Sequence, residues 1–152
     1  MDNQTTIIGL IILILCIFPF FLIRIKNEKK RKKLFQILLD IAKRNQCHIR
    51  KSEFWSQSVI GIDTSKKMLF FSKNANDSKE YIAINLAEIQ NCNLVISKNN
   101  TKLVDKLELK LEFKNNSKSD MLLEFYNNTQ TIPLINELEL IKKWHKVVNE
   151  NL

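Results

Sequence analysis

The sequence predicts an α+β protein: an N-terminal transmembrane helix, then an antiparallel β-domain closed by a C-terminal helix. Three observations carry this. Ile7 to Ile23 holds no charged or strongly polar side chain. Leu107 to Lys114 alternates apolar and charged residues one by one, the period of a half-buried strand. Leu134, Leu138, Ile141, Trp144 and Val148 then recur at helical spacing.

The apolar run is the length of an anchor. Seventeen helical residues rise about 25 Å, and adding Thr5, Thr6, Arg24 and Ile25 brings this to about 31 Å, near the ~30 Å hydrocarbon core. A cleaved signal peptide would need a positive start and a small-residue cleavage site. The chain starts Met-Asp-Asn-Gln-Thr-Thr, and Phe18 to Ile23 is bulky except at Pro19. A retained anchor over residues 1–25 is therefore expected.

Charge sets the expected orientation. No basic side chain precedes the run, whereas Arg24, Lys26, Lys29, Lys30, Arg31, Lys32 and Lys33 follow it at once. Basic flanks stay in the cytoplasm. The expectation is a single-pass protein of the inner (cell) membrane, N-terminus outside, with a cytoplasmic C-terminal domain. Its basic cluster would face the anionic headgroups of the lipid bilayer.

The net charge of +8 has the same source. Residues 24–51 hold eleven Lys/Arg against Glu28 and Asp40, while residues 52–152 hold thirteen bases and thirteen acids. The excess is local, which argues against nucleic acid as a partner. Cys16, Cys47 and Cys92 form no disulfide pattern.

The domain organisation follows: anchor 1–25, basic juxtamembrane segment and amphipathic helix 26–51, folded domain 52–152. Leu34, Leu38, Ile41 and Ala42 share one helix face. That helix could continue the anchor as a stalk, pair with a second copy or pack on the domain. Strand candidates follow at 53–62, 68–71, 81–85, 91–97, 107–114 and 121–126. Asp63–Lys67 and Asn115–Asp120 read as turns. Thr131 can cap the last helix and Pro133 suits its first turn.

Six strands and a closing helix, with Ile60–Phe71, Tyr81–Ile89, the 107–126 hairpin and the Trp144 helix, resemble a pleckstrin-homology-like (PH-like) domain. The resemblance spans roughly 52–150 and implies an antiparallel β-barrel or sandwich closed by the helix. Seven strands are usual there; the seventh would lie in 127–132, or the first candidate would be split at Gly61. The resemblance implies an interaction or scaffold module for another protein, with phosphoinositide binding in some relatives.

Candidate site residues are few. Lys66 and Lys67 stand in what reads as the first hairpin turn, where some PH-like domains hold anionic headgroups. Trp55 would anchor a partner if exposed, or else pack in the core. His48 and His145 are far apart, and no nucleophile, acid–base pair, metal-ligand set or phosphate-cradling loop is evident. No cofactor is implied. The expectation is a binding module, with an anionic-phospholipid sensor as the alternative and a small hydrolase behind both.

Overall fold

In a computed structural model of the chain, residues 16–18, 28–29, 31–98, 103–115, 117–129 and 136–152 are described. The chain divides into two compact units, Met1–Gln36 and Ile37–Leu152. Helix α1 is described over 31–44.

The second unit is built on two antiparallel sheets. Sheet A runs in the order β1 (Lys51–Trp55), β2 (Ser58–Asp63), β3 (Met68–Ser72), β4 (Ile82–Asn85). Sheet B runs β5 (Ile89–Lys98), β6 (Val104–Phe113), β7 (Met121–Asn127), and helix α2 (Glu137–Asn149) follows. A short 3-10 turn, Leu86–Glu88, is the corner between the sheets; Asn85 caps it by accepting from the Ala87 N–H at 3.0 Å. The split expected at Gly61 falls instead at Ser56–Gln57, so residues 51–63 supply two strands. Ser56 has φ 48° there, in the left-handed region that a tight hairpin turn requires and glycine usually fills. Without a glycine or asparagine the turn leaves little trace in the sequence.

The two sheets share an inner core. Ile60, Ile62, Leu69 and Phe71 of sheet A meet Leu107, Leu109, Leu111, Leu123 and Phe125 of sheet B, with Ile141, Trp144 and Val148 of α2. Sheet A has a second apolar side. Every residue of β2 is buried, so both of its faces are covered. Leu38 of α1 lies over Gly61: a Cβ built there would stand 3.0 Å from Leu38 Cδ2 and 3.4 Å from Ile49 Cγ2. Leu38, Ala42, Cys47, Val59 and Phe70 are all buried outside the inner core.

The closed barrel expected from the sequence is corrected by this arrangement. The strand orders end at β4 and begin again at β5, and among the described residues no strand pairing joins the sheets. Side chains bridge them instead. Trp55 of β1 stacks on Phe125 of β7 at 4.6 Å between ring centroids, and its indole N–H donates to the Phe125 carbonyl at 2.8 Å.

The transmembrane helix and the single-pass inner-membrane placement are corrected too. Among the described residues no helix is long and apolar enough to cross a membrane. A span needs about 20 mostly apolar residues. Helix α1 carries Arg31, Lys32, Lys33, Asp40, Lys43 and Arg44; α2 has thirteen residues, five of them charged. Of the apolar run, Cys16, Ile17 and Phe18 are helical and exposed; residues 7–15 and 19–23 lie outside the described residues. Thr131 and Pro133 lie outside them as well, and α2 is described from Glu137.

Candidate functional site: a cation-edged groove between β1 and α2

Asp63 organises one end of the second unit. It is 1% exposed at the end of β2. Its carboxylate accepts main-chain N–H bonds from His48 at 2.7 Å, Ser65 at 2.9 Å and Lys66 at 3.1 Å. Burial alone would push this carboxyl up, but the N–H groups of His48, Lys66 and Ser65 together hold it below its ordinary value. The bonds fix the β2–β3 turn and tie it to the segment after α1. Arg50 reaches the same turn, donating to Ser65 Oγ at 3.2 Å.

Glu53, on the edge strand β1, joins sheet A to α2. Its carboxylate accepts from Trp144 Nε1 at 2.7 Å and from Lys143 Nζ at 2.6 Å. Trp144 is an inner-core side chain, so its indole N–H is satisfied from the rim while its ring is buried. Beside this latch lies a groove of about 430 Å³ lined by Arg50, Lys51, Ser52, Glu53, Lys143, Trp144 and Val147.

The groove's charge is unbalanced. Glu53, its lining carboxylate, is already occupied by Lys143 and Trp144. Among the described residues Arg50, Lys51 and Lys66 have no carboxylate partner. A basic rim over a groove floored by the largely buried Trp144 and Val147 attracts an anionic ligand.

Lys66 and Lys67 lie in the second hairpin turn, because Ser56–Gln57 makes the first. Lys66 is exposed and follows Ser65, the residue whose hydroxyl accepts from Arg50. Lys67, at φ 53°, donates through Nζ to the Leu152 carbonyl at 3.1 Å. Trp55 is half-buried, with its ring and N–H both engaged. Of the basic cluster, Lys29, Arg31, Lys32 and Lys33 are exposed on helical residues; Arg24, Lys26 and Lys30 lie outside the described residues. Nothing in the sequence groups Arg50, Lys51, Glu53 and Lys143. Ninety residues separate Glu53 from Lys143, and no local pattern links them.

Other features are already committed internally. A cleft of about 140 Å³ lies between the first hairpin turn and β7. There Lys73 pairs with Glu124, which also accepts from Asn127 Nδ2 at 3.1 Å. Burial pushes the Cys92 thiol up to about 12, and burial also raises that of Cys47, so both are protonated at neutral pH. Among the described residues no three His, Cys, Asp or Glu side chains gather as metal ligands.

No family model, curated protein or solved structure matches the chain.

Proposed function

We propose that the chain is an interaction module whose Ile37–Leu152 unit docks an acidic segment of another protein in the β1–α2 groove. The pairing of Arg50 and Lys51 at the open rim of one groove carries this reading. Among the described residues their charges have no carboxylate partner, and the largely buried Trp144 and Val147 line the floor beneath them. The resemblance to PH-like domains stays part of the proposal: four strands, three strands and a final helix are compatible with it.

Fluorescence anisotropy of a labelled oligo-glutamate peptide tests it on the full chain. Affinity should fall as salt rises. The double substitution Arg50→Glu, Lys51→Glu should weaken binding by about tenfold or more, on the order of 1.4 kcal/mol. Equal binding of a neutral peptide, or unchanged binding by the double variant, would sink the proposal.

A second reading rests on a different observation, the exposure of Lys29, Arg31, Lys32 and Lys33 on helical residues of the first unit. It assigns these residues to anionic lipid headgroups. Each base near such a surface contributes about 1 kcal/mol of attraction. Co-sedimentation with phosphatidylserine-containing vesicles should exceed that with neutral vesicles and drop when the four are changed to Gln. Equal recovery with both vesicle types rejects it.

A further inference from the structure

The edge of sheet B is left open in a self-complementary way. In β5, Cys92, Leu94 and Ile96 face Leu111, Leu109 and Leu107 of β6. The Cys92 carbonyl does not point at β6. It accepts from His145 Nε2–H at 3.0 Å and from Asn149 Nδ2 at 3.1 Å, both on α2. Main-chain groups alternate in direction along a strand. Leu94 and Ile96 therefore aim their N–H and C=O groups the same way, off the free edge of the sheet. Helix α2 seals that edge at Cys92 only; among the described residues these groups of Leu94 and Ile96 have no partner.

Strand edges are ordinarily protected by charge, proline or brevity. β5 has ten residues, no proline and one charged side chain, Lys98. Ile96 is 40% exposed beside the open groups. We propose that β5 pairs antiparallel with β5 of a second copy of this chain, about a two-fold axis through Val95, giving a continuous six-stranded sheet.

The second copy is favoured by register. The open positions are two residues apart, so rotation about Val95 places Leu94 of each copy opposite Ile96 of the other. Each such pair exchanges both of its main-chain bonds, which uses every open group. Past Ser97 the register of β5 with β6 shifts, and the Cys92 carbonyl of the other copy is already occupied by α2, so the pairing ends there and no two lysines meet. The Ile96 side chain is covered by Leu94 of the second copy. Val95 meets its own counterpart on the outer face of the sheet, in a pair that exchanges no main-chain bonds.

This register is open to disulfide trapping in the full chain, with the exposed Cys16 changed to Ser. Cα atoms in a pair of that kind are about 4.5 Å apart, within disulfide reach. Asn93 lies on the same face but is displaced from its counterpart by about 13 Å along the strands. Under mild oxidation Val95→Cys should form a covalent dimer at least several-fold faster than Asn93→Cys. In sedimentation equilibrium the unsubstituted chain should show a dimer that Val95→Lys dissociates, with circular dichroism unchanged. Equal cross-linking at both positions, a monomer at all concentrations, or a folded Val95→Lys variant that remains dimeric would each overturn the proposal. Pairing of β5 with a different protein would appear as a monomer in these experiments and is rejected by the dimer.

Discussion

β2 and β6 are both central strands of antiparallel sheets, but water reaches them differently. In β6 the buried residues Leu107, Leu109 and Leu111 alternate with Lys106, Glu108 and Lys110, which keep partial exposure. In β2 all six residues are buried, including Ser58, Gly61 and Asp63. Sheet B has one core face and one water face. Sheet A has the inner core on one side and, on the other, a cover that includes Leu38 of α1. The contrast teaches that strand burial here is decided by what lies outside the sheet. β6 announces its environment through its own alternation, while β2 depends on a helix some twenty residues upstream.

The largest effect should come from the outer core of sheet A. Phe70, paired with Gly61 on that face, has no exposed surface. Phe70→Ala should cost about 3–5 kcal/mol in urea unfolding, comparable to about 2–5 kcal/mol for Leu109→Ala in the inner core. A loss confined to the Leu109 variant would break the comparison.

The next effect concerns space rather than lost contact. Gly61→Val puts branched carbons where a Cβ alone already meets Leu38. It should destabilise by about 1–3 kcal/mol, read as a lower urea midpoint.

Asp63 sharpens the comparison through pH. Its folded value is held below the ordinary 3.8, so its contribution is complete above that value and is lost as pH falls through the lower, folded one. Asp63→Asn should cost about 1–3 kcal/mol at neutral pH. It should also flatten the acid limb of the stability–pH curve, measured by thermal melts between neutral pH and acid.

The smallest effect belongs to the water face of sheet B. Lys110 donates to Asp120 at 2.8 Å and to Glu112 at 3.0 Å, and these bonds, that to Asp120 first and then that to Glu112, hold its ammonium above its ordinary value. These groups are partly exposed on the water face, where such pairs contribute little, so Lys110→Ala should leave the melting midpoint within error.

The same contrast explains how much was legible in the sequence. The 107–126 hairpin was readable because burial follows polarity residue by residue along Lys106–Leu111, although the apolar Leu122 of the return strand is exposed. The Trp144 helix was readable for the same reason. The first hairpin was not, because Ser56–Gln57 lacks the turn residues that usually mark a reversal, and β1 and β2 run together as one apolar-rich stretch. Gly61 looked like a possible break, whereas it is the point of close approach to Leu38. Lys66 reads as a turn residue, whereas Arg50 and Lys51, which line the groove, read as the end of a basic segment. Glu53 and Lys143 meet only through folding. The closed barrel failed on a long-range property: whether sheet edges pair is not encoded in any one strand.

The central claim is that α1 lies on β2 at Gly61. A double-mutant cycle of Leu38→Ala and Gly61→Val measures this contact through unfolding free energies. Trimming Leu38 makes room for the valine, so the pair should be less destabilised than the two single changes imply, with a coupling of about 0.5–3 kcal/mol. Strict additivity of the two changes would contradict it.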